Sequence, residues 1–181
     1  MDRSTALPSE PLLSNAVASN AAGAASPHED RAAPDDTGGI IAYIIERYHK
    51  VHREELPGLI VLAREVESLH GNHLEALRGF AKFLEEMADS LETHMQIEEH
   101  VLFPMFANGP VIKLAIEMMR LEHDYHNYQV EALEEFIAAL RPPEDGSAAW
   151  HALYAGLTKF ARDLAGHIRI ENETLFPRFD A

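Results

Sequence analysis

Two thirteen-residue strings in this chain copy one another, and their separation limits what it can fold into. His94-Met-Gln-Ile-Glu98-Glu-His-Val-Leu-Phe-Pro-Met-Phe106 aligns with His167-Ile-Arg-Ile-Glu171-Asn-Glu-Thr-Leu-Phe-Pro-Arg-Phe179, with seven of 13 positions identical at an offset of 73 residues. An offset of that size implies two copies of a helical hairpin. The upstream sequence carries the other half of the repeat. His49 and His123 lie 74 residues apart, in the strings His49-Lys-Val-His52 and His123-Asp-Tyr-His126. Each half therefore supplies a histidine from its first helix and a His-x-x-x-Glu ladder from its second.

The apolar pattern divides the repeat region into four helices, and the expected fold is an all-α, up-down-up-down four-helix bundle. The first helix is expected over 40–70, with a buried stripe of Ile41, Ile44, Ile45 and Tyr48 and a kink or split near Leu56 before Pro57. The second is expected over 73–103, facing Leu74, Leu77, Phe80, Phe83, Leu84, Met87 and Leu91 inward, with Pro104, Asn108, Gly109 and Pro110 ending it and restarting the chain. The third is expected over 111–140 and the fourth over 147–176, where Pro177 stops it. Residues 1–38 are rich in Ala, Ser, Asn and Pro, with no sustained apolar period. They read as a disordered tail preceding a single domain at 39–181.

The turns place the histidines. In an antiparallel hairpin, residues equally far from the turn share a level. The midpoint of 49 and 94 falls between Gly71 and Asn72, and that of 123 and 167 falls on Asp145, both expected turns. His49 should face His94, and His123 should face His167, each pair on the order of 33 Å from its own turn. All four helices then converge on one level near the 104–110 connection. His and Glu four apart lie one above the other on a helix, so His49, His94, Glu98, His123, His167 and Glu171 form a candidate set of four imidazoles and two carboxylates. A carboxylate can bridge two metals roughly 3.5–4 Å apart. The ladders alone mean little, because about two such pairs are expected by chance at this composition. The matched repeat, matched turns and partner histidines carry the argument.

Composition narrows the chemistry. The chain has 11 histidines and no cysteine, so thiolate zinc sites, iron–sulfur ligation by this chain and disulfides are excluded. Nitrogen and oxygen donors fit iron or manganese, with zinc a further choice. A net charge of -15 argues against nucleic acid and anionic membranes as partners. No apolar run reaches the roughly 18 residues of a membrane span, and no secretory leader pattern is visible, so a cytoplasmic location is expected. His52, Glu122 and His126 sit beside ligand candidates as a second layer, with Tyr48 and Tyr125 near it. His70 and His73 flank the first turn as helix caps, and His100 is expected at the surface. The phenylalanines of the Leu-Phe-Pro strings should pack below the metals and limit water. His28 and His151 receive no role.

With these residues in view, the chain resembles the hemerythrin HHE cation-binding domain. The strings Arg47-Tyr48-His49, His52-Arg53-Glu54, Leu56-Pro57, Glu98-Glu99, Leu102-Phe103-Pro104-Met105, Glu122-His123-Asp124 and Leu175-Phe176-Pro177-Arg178 resemble those of bacterial di-iron proteins that repair iron–sulfur clusters. The resemblance implies two non-haem iron ions with oxo, hydroxo or carboxylate bridges, each held by two histidines. It implies iron donation to damaged iron–sulfur proteins, or binding and reduction of NO, in nitrosative and oxidative stress. Whether the centre turns over as an enzyme stays open. Many such proteins also carry a short N-terminal domain with a cysteine pair, which this chain lacks. The alternative is a reversible O2 or NO carrier or sensor, with His52, His70 or His126 as a fifth histidine. A metal-free bundle would bury a costly histidine cluster. Target proteins, redox state and oligomeric state are not legible.

Overall fold

The computed structural model describes residues 34–70, 78–109 and 113–180. Four long helices, with no strand, form the bundle among them. The first, α1, runs as α-helix over Thr37–Ile44, as a π-helical turn over Ile45–His49 and again as α-helix over Lys50–His70. The second, α2, comprises Phe80–Ile97, a π turn at Glu98–Leu102 and a last α-helical stretch at Phe103–Asn108. The third, α3, is an uninterrupted α-helix over Lys113–Ala139. The fourth, α4, comprises Ala148–Ile170, a π turn at Glu171–Leu175 and a single 3₁₀ turn at Phe176–Phe179.

Side-chain links fix the directions. Arg53–Glu92 and Arg64–Glu85 step in opposite senses along α1 and α2, as do Arg47–Asp163 and His70–Ser147 along α1 and α4. His123–Asn172 and Trp150–Leu140 do the same for α3 and α4. Each helix lies beside two antiparallel neighbours, α3 closing the ring against α2. This is the expected up-down-up-down bundle.

Several sequence expectations need correction. Helix α1 runs through Pro57 as continuous α-helix. Pro57 is exposed, so the Arg53 carbonyl that loses its intrahelical donor can turn to water. Helix α1 also starts earlier than expected, at Thr37. The Asp36 carboxylate accepts from the Gly39 amide at 2.9 Å and caps it. Helix α2 starts later, at Phe80, because Gly79 adopts φ 83°. The Glu67 carboxylate accepts from the amides of Gly79 and Phe80 at 2.6 and 3.0 Å, in place of a local cap. Of the residues expected to end α2, Pro104 does not, whereas Asn108 is its last helical residue and Gly109 its C-cap. Pro104 opens the α-helical stretch after the π turn, where a missing N–H costs little. The residues 1–33 of the expected tail, the first turn at Gly71 and Asn72, and Leu74 and Leu77 lie outside the described residues.

The core is split in two. The larger part gathers Leu84, Met87, Leu91, Leu133, Leu157, Phe160 and Leu164 between the four helices. The smaller gathers Ile40, Ile44, Leu102, Phe106, Ile116 and Phe176 at the other end. Each fully buried large side chain contributes roughly 1.5–3 kcal/mol. Between the two lies a layer of buried histidines and carboxylates. Among the described residues no helix is long and apolar enough to cross a membrane.

One buried ion pair ties α1 to α4 beside that layer. The Arg47 guanidinium donates to both Asp163 oxygens at 3.1 and 2.8 Å, and Lys159 Nζ donates to Asp163 at 2.8 Å. Burial alone would raise the Asp163 pKa, but the Arg47 and Lys159 contacts outweigh it and hold the carboxyl below its ordinary value. Asp163→Ala should cost about 3–5 kcal/mol at neutral pH, because it strands a buried guanidinium. For a depressed carboxylate, the contribution is complete above the unfolded-state pKa and is lost as pH falls through the folded one. The stability gap between wild type and variant should therefore close on acidification below the usual carboxylate range. Denaturant melts across pH 3–7 measure it, and a gap independent of pH would refute the assignment.

Candidate metal centre

The six residues singled out by the repeat meet in one place. His49, Glu98, His123, His167 and Glu171 have no solvent exposure, and His94 has 1%. The π turns help to put them there. Each contains five residues closed by an i→i+5 bond, from Lys50 to Ile45, Phe103 to Glu98 and Phe176 to Glu171. Glu98, Leu102 and Phe106 are spaced by four and all buried. In an unbroken α-helix, Phe106 would rotate about 80° away from Glu98. The wider turn reduces that drift, so the ladder and the apolar plug beneath it stay on one face. Glu171 and Leu175 repeat the first step of four, with the partly buried Phe179 in the place of Phe106. Such π insertions concentrate at functional sites.

The carboxylates are divided between histidines. Glu98 places Oε2 3.3 Å from His49 Nε2 and Oε1 3.4 Å from His94 Nε2. Glu171 places Oε1 3.2 Å from His167 Nε2 and Oε2 3.0 Å from His123 Nε2. The donor atoms fall into two overlapping groups that could each hold a metal ion: His49, His167, Glu98 and Glu171, and His94, His123, Glu98 and Glu171. Both carboxylates belong to both groups, one oxygen toward each. The nearest histidine partners differ from the hairpin expectation. His49 and His167 bring Nε2 atoms within 3.0 Å across α1 and α4, and His94 lies beside His123 across α2 and α3. In a square ring each helix has a second neighbour, and that neighbour supplies the closer ring.

The donor chemistry fits cations. Both Glu98 oxygens, Glu171 Oε2 and His123 Nε2 are buried without a hydrogen bond of their own, and buried carboxylates must be paired or bind metal. Burial would lower the His94 pKa, but the Glu98 and Glu171 charges outweigh it and raise it to about 9. His49 and His123 are raised against burial in the same way. Burial and mutual repulsion would raise the two carboxylates, and the surrounding imidazoles hold both below their ordinary values. Cation binding to this set displaces protons.

Outward-facing ring nitrogens are held in a second layer, part of which was legible. Glu122 was expected near a ligand, and it accepts from His94 Nδ1 at 3.0 Å. His49 Nδ1 donates to Glu99 at 2.7 Å, and His123 Nδ1 donates to Asn172 at 2.9 Å. Neither Glu99 nor Asn172 was singled out, yet both occupy the same column of the repeat, directly after Glu98 and Glu171. Arg53 in turn donates to Glu99 and Glu92, both at 2.7 Å. Tyr48 holds the position in α1 that Glu122 holds in α3. Its ring stacks on His167 at 5.3 Å and 11°, and His167 Nδ1 has no hydrogen-bond partner. Gly166 allows this close approach, since a Cβ there would meet Tyr48 Oη at 3.1 Å. The other side of Tyr48 lines a surface cavity of about 230 Å³ with Tyr43, Gly166 and Arg169. Burial pushes the Tyr48 hydroxyl up to about 12, so it stays protonated.

His52 and His126 lie against the ligand rings on the large-core side, 5.6 Å from His167 and 4.9 Å from His94. Burial first, then the neighbouring imidazoles, lowers both, His126 to about 4. His126 Nδ1 contacts Gln129 Oε1 at 2.8 Å, and Gln129 donates to the Tyr125 hydroxyl at 3.2 Å; Tyr125 itself is exposed and reaches the ligand rings only through these two residues. Phe103 and Phe176 stack on His49 and His123 from the small-core side, as expected of the Leu-Phe-Pro strings. His70 contacts Ser147, the N-cap of α4, at 3.4 Å, and His100 is exposed. His28 and His73 lie outside the described residues.

The hemerythrin HHE cation-binding domain family matches residues 40–179. The chain belongs to this family. Its cofactor is accordingly a non-haem di-iron centre. It is 43% identical over 141 residues to the iron–sulfur cluster repair protein YtfE of Pectobacterium atrosepticum, covering 77% of this chain and 64% of the relative. It is 40% identical over 146 residues to the protein of that name from Yersinia pseudotuberculosis, with the same shares. It is 42% identical over 150 residues to that of Musicola paradisiaca, covering 82% and 67%. The hemerythrin-like chain thus spans less than two thirds of the first two relatives.

The second layer makes a prediction of its own. Glu99→Ala and Glu122→Ala should each weaken metal affinity by about 10–100-fold, read by competition with a chelator of known affinity. Unchanged affinity in both would mean that His49 and His94 need no carboxylate behind them.

Proposed function

We propose that this chain is a cytoplasmic di-iron protein of the nitrosative and oxidative stress response that repairs damaged iron–sulfur clusters. It would do so by giving up iron, by binding and reducing NO, or by both. One observation carries the reading: each of two buried carboxylates divides its oxygens between histidines of the two donor groups. The 40–43% identity to proteins named for cluster repair supports it. Its partners would be NO or O2 and damaged iron–sulfur proteins.

In this reading His49 and His167 would hold one iron and His94 and His123 the other, with Glu98 and Glu171 shared between them. The irons would supply positions open to small ligands and an exchangeable store of metal. The chain's own residues do the rest. Glu99, Glu122 and Asn172 fix the ring orientations. Phe103 and Phe176 exclude water from the small-core side. Tyr48 separates His167 from the surface cavity, and its ring is the wall a small diatomic would pass.

A second reading, a reversible O2 or NO carrier or sensor, draws on the two buried histidines beyond the four ligand candidates, His126 at 4.9 Å from the His94 ring and His52 at 5.6 Å from the His167 ring. Anaerobically purified, iron-loaded protein separates the two. Repair predicts about two irons per chain, recovery of an NO-inactivated cluster enzyme on mixing, and loss of both in His94→Ala/His167→Ala. A stable O2 adduct released by lowering the O2 pressure, with no recovery of the damaged enzyme, would establish the carrier. Two irons retained by the double variant would refute the ligand set.

A further inference from the structure

The outer face of α3 carries a second pattern, distinct from the inward row of ligand candidates. Leu114, Met118, Leu121, Tyr125 and Tyr128 are spaced 4, 3, 4 and 3 residues apart and are 62%, 50%, 62%, 54% and 69% exposed. This is the a/d seam of a coiled coil, facing away from the bundle that α3 helps to build. It runs about 21 Å along the helix. Scattered exposed apolar residues are ordinary, but a contiguous row of this size marks an interaction surface, and tyrosine and methionine are enriched in such surfaces. The exposed apolar area is on the order of 500 Å². With its rim it approaches the roughly 800 Å² per partner of a stable complex.

Charge selects the occupant. Glu117, Asp124 and Glu131 are exposed at successive seven-residue steps along one edge of the seam, the position that meets a partner helix's flanking charges. None forms an ion pair among the described residues. A second copy laid antiparallel across Leu121 would bring Glu117 near Asp124 on the same edge, and like charges there oppose pairing. The chain's overall charge of -15 adds to that repulsion and steers basic partners inward. We propose that this seam docks a helical segment of another protein that has its own apolar stripe flanked by lysine or arginine. The seam backs directly onto the turn of α3 that carries Glu122 and His123, so the docked segment lies over the metal layer. The proposal depends on α3 alone and stands whichever reading of the iron centre holds.

The absence of cysteine makes a direct test practical. Ala132→Cys, one seam step beyond Tyr128, gives the full iron-loaded chain a single site for an environment-sensitive fluorophore. The probes are two synthetic helical peptides of about 21 residues with leucine at the seam positions, one flanked by Lys and Arg, the other by Glu. The expected result is saturable, salt-sensitive binding of the basic peptide, about ten-fold weaker for the acidic one. Leu121→Lys, at an exposed position, should abolish binding while leaving iron content and helicity unchanged. Equal binding of the two peptides, or indifference to Leu121→Lys, would overturn the proposal. A fluorescence change with the chain's own concentration would assign the seam to a second copy instead. Emission already apolar and independent of concentration would assign it to the chain's residues 1–33.

Discussion

Two carboxylates buried side by side in an apolar bundle constrain everything else in this structure. Glu98 and Glu171 have no access to water, and an unpaired buried charge is far more costly than any single packing contact can offset. Four imidazoles surround them, and both Glu98 oxygens and Glu171 Oε2 are left without a hydrogen bond. The bundle is therefore not one core with a site inserted into it. It is two apolar cores, one at each end, with a charged layer between them that a pair of cations completes. The Arg47–Asp163 pair, buried beside that layer, follows the same rule within the protein itself.

The repeat explains how such a layer is assembled and where its symmetry ends. Glu99 and Asn172 come from one column of the duplicated string, and each secures the first-helix histidine of its own half. Glu122 and Tyr48 come from one column of the other helix pair, but only the first is an acceptor. His94 therefore has a carboxylate behind it, while His167 has a stacked phenol. The backbone departs from symmetry in a matching place, since α1 carries a π turn ending at His49 and α3 is regular through His123. Duplicated halves have kept the six candidate ligands alike and allowed their supports to diverge.

Much of this was legible from spacing. Residues that repeat at a fixed offset, with turns at the midpoints, determine which side chains share a level, and that was enough to name the six and to set four helices around them. What spacing does not encode is the lateral arrangement. Nothing in the positions of 49, 94, 123 and 167 says that the closest rings lie across α1 and α4 rather than within a hairpin. The π turns were hidden for a related reason: their i→i+5 bonds leave no residue-type signature, and Pro104 reads as a stop although it sits where a new turn begins. The split expected at Pro57 is absent, because the cost of its missing donor depends on whether the opposed carbonyl faces water. The start of α2 depended on Glu67, a cap from a different helix that no local pattern announces.

Helix α3 shows how these constraints divide one segment of chain. Its inward face is fixed by the charged layer: His123, His126 and Gln129 are buried there, and Leu133 enters the large core. Its outward face is free of that requirement, and a helix with no further neighbour ordinarily turns polar residues to water. Here it keeps a seven-residue apolar period from Leu114 to Tyr128 instead, with Glu117, Asp124 and Glu131 along one edge. The period differs from what packing within this bundle requires, because none of the five side chains is buried by it. A stripe left half or more exposed by the described residues, in register with acids that form no ion pair among them, is better accounted for by a surface outside the fold.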